Sequence, residues 1–270
     1  MATNVLDLRR YSALAAGRAL IHDVTIAVPA DIAGAAAALA RAADSHGLRL
    51  MVWHDLSTLD PMVDAAGEAL DAGAFGWAAP ELAPWRCRER LLRSPLLRAC
   101  RAESEPFLVT RQAIRTRWPN RVIDQIALDA QARDDDPANA IVVPVHLPFG
   151  QVGAAILVGA DGGEADLSAA FTRVIAALAP AIECFVRGYV MVTRDERYLP
   201  DDSLLTAREI ECLNWIAHGK TDFEIGIILG CSHAGVRYHV TRACTKLGAV
   251  NRAQSVFRAA QLGLLGTPRS

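Results

Sequence analysis

The chain has 270 residues, of which 52% are apolar and 21% are charged, and its formal net charge is -2. This composition is typical of a packed globular protein and excludes a disordered one. Because domains cluster near 100–150 residues, a chain of this length favours two domains over one.

The positive charge is concentrated at the C-terminal end of the chain. Residues 233–270 contain six arginines and lysines but no aspartate or glutamate. The rest of the chain is therefore net acidic, and a positive field of this kind suits a nucleic-acid partner at the C-terminal end.

The six cysteines are scattered and never form a C-x-x-C pair. This spacing favours free, mostly buried thiols in a reducing cytoplasm over a disulfide framework or a zinc site. Charged residues near the N-terminus interrupt the apolar core that a signal peptide needs. Two long apolar stretches, 140–160 and 174–192, are broken by prolines or charges, so no membrane span is predicted. We expect a cytoplasmic protein without metal or cofactor.

The N-terminal two thirds of the chain predict a mixture of helices and strands. An alanine-rich helix over 31–46 begins at an aspartate cap and ends before Gly47. Short apolar runs bounded by Gly, Pro or charge indicate strands. These runs lie at 48–53, 74–77, 106–110, 140–146 and 152–159. The Pro-x-Gly sequence between the last two predicts a tight turn and a central antiparallel hairpin. Further helices are predicted at about 86–102, 121–131 and 167–190.

These elements predict an α+β protein of two domains. Helices bracket the strand cluster over residues 1–192, which predicts an α+β sandwich. The charged, proline-containing segment 193–203 is predicted to be a linker. Residues 204–270 carry four helical patterns without a strand signal, which predicts an all-α four-helix domain.

The start of the C-terminal domain carries two helix-capping signals. Thr206 with Glu209, and Thr221 with Glu224, have the S/T-x-x-E spacing of a capping box. Gly230 is a suitable end for the second helix. Ser232 then serves as the cap of a third helix, so the pattern is helix, turn, helix.

The third helix divides into two faces. An apolar stripe at helical spacing is predicted to face inward and consists of Val236, His239, Val240, Ala243 and Leu247. The opposite face consists of Arg237, Tyr238, Thr241, Arg242, Thr245 and Lys246. A helix that reads DNA needs this division, because one face locks it to a scaffold and the other offers donors to bases and phosphates. A solvated charged face is the alternative interpretation, and a packed core histidine is favoured for His239 over a metal ligand.

Residues 205–265 resemble the four-helix DNA-binding domain of LuxR-type transcription regulators. The matching pieces are LTxRE at 205–209, GKT at 219–221, ILG at 228–230, KLG at 246–248 and NRAQ at 251–254. The resemblance implies that Arg237, Tyr238 and Thr241 face the bases. It also implies phosphate contacts from Lys220, Arg242 and Lys246. Two glycines depart from the pattern, Gly226 at a usual alanine and Gly235 at a common threonine.

The hairpin sequence at 140–159 resembles that of the autoinducer-binding domain in quorum-sensing LuxR-type regulators. The resemblance implies that residues 1–192 form an α/β/α sandwich around an antiparallel sheet and serve as a sensory and dimerisation domain. In that family the domain binds an acyl-homoserine lactone between its sheet and helices, and the aspartate of an Asp-Pro segment holds the lactone. The preferred register places Ser94 at the position of this aspartate, and an alternative register places Asp60 there. The candidate ligand-binding residues are Trp53, Trp77, Trp85, Ser94 and Phe107, with core packing as the alternative for the aromatic ones.

Together these patterns predict a DNA-binding transcriptional regulator. We expect a homodimer on a pseudo-palindromic double-stranded DNA operator, controlled by a small-molecule signal, with RNA polymerase as a further candidate partner. A ligand-independent dimeric regulator is the first alternative. An enzyme with a helical cap is the second, and the chain lacks the H-E-x-x-H, Walker, G-x-S-x-G and G-x-G-x-x-G motifs, so no catalytic residue is predicted.

Overall fold

The computed structural model describes residues 14–128, 136–160, 166–194 and 204–266. It divides into two compact units. The first runs to Leu147 and includes Gln151–Thr193, and the second comprises Pro148–Gly150 and the chain from Arg194 onward. Most of the predicted linker, from residue 195 to 203, lies outside the described residues, as do Arg269 and the acidic residues 134–135.

The first unit is built on a five-stranded antiparallel sheet. Its strands are β1 (Leu48–Trp53), β2 (Phe107–Val109), β3 (Ile114–Arg115), β4 (Ala140–His146) and β5 (Val152–Gly159), in the order β1-β5-β4-β2-β3. The β4–β5 hairpin is central, as predicted, and places Val142 opposite Ile156. The strand predicted at 74–77 is wrong: these residues form turns, and Gly76 has a φ of 67°. The short strand β3 was not predicted.

Seven helices accompany the sheet in the described part of the first unit. They are α1 (Leu14–Asp23), α2 (Ile32–Asp44), α3 (Ala79–Leu82), α4 (Arg88–Arg93), α5 (Pro95–Ala99), α6 (Arg121–Leu128) and α7 (Phe171–Thr193). The helix predicted at 86–102 is interrupted at Ser94, where the backbone has φ -51° and ψ 118°. Pro95 causes this break, because a proline disfavours the helical conformation of the residue before it.

Helices cover both faces of the sheet. On one face, Leu50, Ile141 and Leu157 belong to a buried cluster with residues of α2 and α7. On the other face, Val142 and Ile156 belong to a second buried cluster with residues of α5 and α6. Neighbouring strand residues alternate between the two clusters because successive side chains of a strand point to opposite faces. The predicted α/β/α sandwich is therefore confirmed.

Helix α7 is a core helix of this sandwich. Its 23 residues are long and apolar enough to cross a membrane by length and composition alone. However, Leu178, Ile182 and Phe185 are buried in the first cluster, and the buried residues of the helix recur every three or four positions. A broad apolar stripe of this kind is typical of a helix that packs one face against the core of a globular domain.

The second unit contains the four predicted helices, α8 (Ala207–Ala217), α9 (Asp222–Leu229), α10 (His233–Lys246) and α11 (Arg252–Gln261). Both predicted capping boxes form. The backbone N–H of Thr206 donates to Glu209 at 2.8 Å, and that of Thr221 donates to Glu224 at 2.8 Å. Gly230 ends α9 in the left-handed conformation that glycine adopts without strain, with a φ of 65°.

The apolar residues of α9 are less buried than its sequence indicates. Ile225 is fully buried, but Phe223 is 68% exposed and Ile228 is 44% exposed. The same outer surface carries Ile227, which is 68% exposed. A helix of eight residues that packs against α8 and α10 buries only a narrow stripe, so an apolar composition does not decide which residues face inward.

Candidate nucleic-acid interface and ligand pocket

The turn between α9 and α10 depends on a close backbone contact. The Cys231 N–H donates to the Gly226 carbonyl at 2.9 Å. A Cβ on Gly226 would lie 2.8 Å from the Cys231 carbonyl oxygen, closer than real Cβ contacts allow. Glycine at this position, in place of the usual alanine, therefore allows the turn to lie directly against α9. On the other side of the turn, the Ser232 hydroxyl caps α10 by accepting from the Gly235 N–H at 3.1 Å.

Helix α10 is held to the rest of the unit by one face. Val236, Ala243 and Leu247 are fully or almost fully buried. His239 is only half-buried and lies with its ring centroid 5.6 Å from that of Tyr238. The predicted inward stripe is therefore present, with His239 at its margin rather than in its centre.

The opposite face of α10 is open to solvent. We call four of its exposed side chains, Arg237, Tyr238, Thr241 and Arg242, the reading face; Thr245 is also exposed, and its hydroxyl donates to the Thr241 carbonyl at 3.1 Å. Tyr238 is 61% exposed although it is a large aromatic residue. Arg237 and Thr241 are four positions apart, so their side chains lie on one line along the helix. This surface offers guanidinium, phenol and hydroxyl groups together.

Lys246 does not belong to the reading face. Its ammonium group lies 2.9 Å from the Glu209 carboxylate and donates to the Leu204 carbonyl at 3.0 Å. The two charged side chains are only 15% and 4% exposed. Burial alone raises the pKa of the Glu209 carboxyl, but the Lys246 ammonium and the Thr206 backbone N–H hold that pKa below its usual value. Lys246, which the sequence predicts to contact phosphate, thus forms an ion pair between α10 and α8.

Lys220 lies just before α9 and stays at the surface. Its side chain is 42% exposed, and its ammonium group lies 3.9 Å from the Glu224 carboxylate. Its backbone carbonyl accepts from Arg252, which also pairs with Asp222 at 3.3 Å. The sequence did not single out Arg252, a second basic side chain on this side of the unit.

The first unit has an open, shallow pocket at the edge of the sheet. Strand β1 and the segment from residue 59 to 86 line it. Trp53 and Trp85, both predicted ligand residues, meet here with ring centroids 5.5 Å apart and planes tilted by 58°. Phe75 and two methionines complete the apolar wall.

Trp77 and Phe107, two further predicted ligand residues, lie elsewhere. The Trp77 indole N–H donates to the Leu50 carbonyl at 2.6 Å, and the Arg49 guanidinium lies 4.0 Å above the Trp77 ring. Arg49 also pairs with Glu81 at 2.8 Å. Trp77 thus holds the segment 59–86 against the edge strand β1. Phe107 is fully buried in the second core cluster, which agrees with the alternative of core packing.

Ser94 is buried outside the lining of this pocket. Its hydroxyl accepts from the Leu97 N–H at 3.4 Å, which caps α5, and donates to the Asp136 carboxylate at 2.7 Å. The other Asp136 oxygen lies 3.7 Å from the Arg90 guanidinium. A carboxylate from a position 42 residues later therefore stands beside the serine. In the alternative register the corresponding residue is Asp60, and Asp60 does line the pocket.

The cysteines and histidines form no metal centre within the ranges that the structure describes. No group of three His, Cys, Asp or Glu side chains there is placed to hold a metal ion. Cys100 is fully buried, and burial raises the pKa of its thiol to about 12, so this thiol stays protonated at neutral pH.

Comparison with known proteins agrees with the geometry of the second unit. Residues 203–259 match the family model described as bacterial regulatory proteins, luxR family. The chain is 32% identical to the transcriptional activator VanR of Vibrio anguillarum over 117 residues, which cover 43% of this chain and 48% of VanR. It is 45% identical to the transcriptional activator LuxR of Aliivibrio fischeri over 67 residues, 25% of this chain and 27% of LuxR.

Longer matches are more distant. The transcriptional activator AhyR of Aeromonas hydrophila is 28% identical over 174 residues, 63% of this chain and 64% of AhyR. The matched segment spans about half the length of VanR and about a quarter of LuxR. Among solved structures, Escherichia coli SdiA aligns over 96% of both chains with 17% identity and a TM-score of 0.42.

The family match and the helix–turn–helix lie on the same residues. The capping boxes, the Gly230 turn and helix α10 all fall within 203–259. The resemblance expected from the sequence over 205–265 is thereby confirmed. The part of the chain that is similar to the luxR family of bacterial regulatory proteins is therefore its helix–turn–helix, within residues 203–259.

Proposed function

We propose that the chain is a transcription regulator that binds double-stranded DNA through α10. The observation that carries this proposal is the two-faced geometry of α10: Val236, Ala243 and Leu247 are buried, while the reading face is exposed. A major groove admits a helix of this kind, and arginine pairs in bidentate fashion with guanine. The names of the matched relatives, all transcriptional activators or regulators, support a regulator rather than an enzyme.

Each exposed side chain of the reading face has a role in this proposal. Arg237 and Thr241 contact base edges from one line of the helix, and Tyr238 lies beside them. Arg242 binds phosphate together with Lys220 at the start of α9. Phosphate contacts fix the position of the helix and base contacts supply specificity.

We further propose a homodimer on a two-fold symmetric operator, acting in the cytoplasm with RNA polymerase as a partner. A two-fold symmetric operator matches a two-fold symmetric dimer. Large apolar side chains on α11 and at the end of α7 support subunit contacts there: Phe257 is 61% exposed and Met191 is 73% exposed.

The direct test is DNA selection followed by substitution. The full chain selects binding sites from a random duplex library, and two inverted half-sites are expected. Arg237→Ala is then expected to weaken binding to the selected site by about 5- to 150-fold, the equivalent of about 1–3 kcal/mol. Arg208→Ala is the matched control, because Arg208 is an exposed arginine on α8 that pairs with Glu211. Undiminished binding by Arg237→Ala at moderate salt would refute the reading face.

For the first unit we propose the role of a small-molecule sensor. A pocket lined by Trp53 and Trp85 supports it. An acyl-homoserine lactone or another signal would shift the population of dimers that bind DNA. A ligand-independent regulator would show no rise in melting temperature with cell extracts or lactones, and its DNA affinity would not change.

A further inference from the structure

The pocket beside β1 combines aromatic walls with unbalanced negative charge. Its charged lining side chains are Asp60, Asp71 and Arg86. Arg86 and Asp71 pair with each other at 2.9 Å, and that aspartate is 16% exposed. Two carboxylates and one guanidinium leave one formal negative charge, which belongs to Asp60.

Asp60 has no cationic partner among the residues that the structure describes. Its carboxylate accepts a hydrogen bond from the Thr58 hydroxyl at 2.6 Å, and this neutral donor leaves its charge in place. The His54 imidazole interacts electrostatically with Asp60. Burial lowers the pKa of His54 against the opposing influence of Asp55 and Asp60, so the charged form of this imidazole is disfavoured.

The two tryptophans of the pocket lining, Trp53 and Trp85, lie against each other. Their centroids are 5.5 Å apart and their planes are tilted by 58°, so the rings form a corner rather than a stack. The Arg90 guanidinium already lies 4.6 Å from the centroid of Trp85, and Arg90 is not part of the pocket lining. A cation within about 6 Å of an indole centroid is attracted by the ring quadrupole.

We propose that this pocket binds a small organic cation with an alkylammonium headgroup. The headgroup lies in the corner between Trp53 and Trp85, and Asp60 balances its charge. The aromatic corner takes up the methyl or methylene groups around the nitrogen, which a carboxylate alone does not bind. This inference rests on the proposed sensory role of the first unit and names the chemical class of its ligand.

The test compares two molecules of the same shape. Choline is titrated into the full chain by calorimetry, and dimethylbutanol, its uncharged carbon analogue, is titrated in parallel. We expect choline to bind at least about tenfold more tightly than the neutral analogue. Asp60→Asn is expected to weaken choline binding by about tenfold and to leave binding of the neutral analogue unchanged. Trp85→Leu is expected to weaken choline binding to a similar extent.

Glu68→Gln is the matched control, because Glu68 is an exposed acid of the same segment outside the pocket lining. It is expected to bind choline as the unchanged chain does. Asp60 is exposed, so Asp60→Asn keeps the fold and remains informative if Trp85→Leu unfolds. Equal binding of the two molecules, choline binding that survives Asp60→Asn, or no choline binding at all would each overturn the assignment.

Operator binding is measured on the same samples. If the chain binds its DNA site but does not bind choline, the proposal of a cationic ligand is wrong and the DNA-binding proposal is unaffected. If the chain binds choline but selects no DNA site, the DNA-binding proposal is wrong and the proposed class of ligand is unaffected. The two proposals therefore fail independently.

Discussion

The reading face of α10 and the aromatic pocket beside β1 differ in how their residues come together. The four residues of the reading face lie within six consecutive positions, 237–242, on one capped helix. The pocket draws its residues from a strand, a long irregular segment and two short helical turns between positions 51 and 86. The comparison teaches that a site built within one helix follows from helical periodicity, whereas a site built across several elements depends on how they pack.

The largest expected effect concerns Lys246, a predicted DNA contact that forms an ion pair with Glu209. Lys246→Met leaves the buried Glu209 carboxylate without its partner, so the free energy of unfolding of the second unit should fall by about 3 kcal/mol. Hydrogen exchange of α8 and α10 in the full chain measures the loss. Arg208→Met breaks the exposed ion pair with Glu211 and should lower the free energy of unfolding by no more than about 0.5 kcal/mol. Equal, small effects would show that Lys246 is not part of the scaffold.

Ser94→Ala tests whether the serine is a structural residue or a ligand contact. The substitution removes the cap of α5 and the hydrogen bond to Asp136, so the first unit should lose about 1–3 kcal/mol. Urea unfolding measures this loss, and Ser57→Ala, at an exposed serine of the same unit, serves as the control. Ligand affinity should stay within about twofold of the unchanged chain. The reverse result, unchanged stability and lost ligand binding, would show that Ser94 is a ligand contact.

Gly226→Ala probes the contact that positions the reading helix. The added Cβ meets the Cys231 carbonyl at 2.8 Å, so the turn must shift and stability should fall by about 1–2 kcal/mol. Gly235→Ala is the matched control, because its Cβ would lie 3.4 Å from the Ser232 hydroxyl, an ordinary contact. That variant should gain up to about 1 kcal/mol from helix propensity. If both substitutions changed the melting temperature in the same direction, this explanation of Gly226 would be contradicted.

The smallest expected effect is a pH dependence at the edge of the sheet. Arg49 and the backbone N–H of Ala78 lower the pKa of Glu81 from 4.5 to about 2. A lowered pKa in the folded state means that the ionised form is stabilising, fully above about pH 4.5 and progressively less as the pH falls toward 2. Because the pair is partly exposed, its contribution should be below about 1 kcal/mol.

Thermal unfolding of the unchanged chain and Glu81→Gln over this acid range measures that contribution. The difference between the two should be present near neutral pH and should shrink as the solution is acidified. Glu68→Gln, at an exposed acid without such a partner, should show no such trend. A constant difference at all pH values would mean that Glu81 acts through packing rather than through its charge.

In the N-terminal unit, the sequence predicts the central hairpin but does not predict which aromatic residues line the pocket. The central hairpin followed from two apolar runs and a turn, because antiparallel strands joined by a short loop pair locally. Trp53, Trp77, Trp85 and Phe107 looked alike in sequence, yet only Trp53 and Trp85 line the pocket. Aromatic residues serve cores and binding sites equally well, so their identity does not tell the two apart.

The sequence by itself determined the two-unit α+β organisation, both capping boxes, the Gly230 turn and the two faces of α10. These features depend on periodicity and on hydrogen bonds between residues three or four positions apart, which the order of residues specifies directly. The tertiary structure alone decided that Lys246 pairs with Glu209 and that Asp136 reaches Ser94, 37 and 42 positions away. Which charges become partners across such separations depends on the packing of helices and strands, and no local pattern in the sequence encodes it.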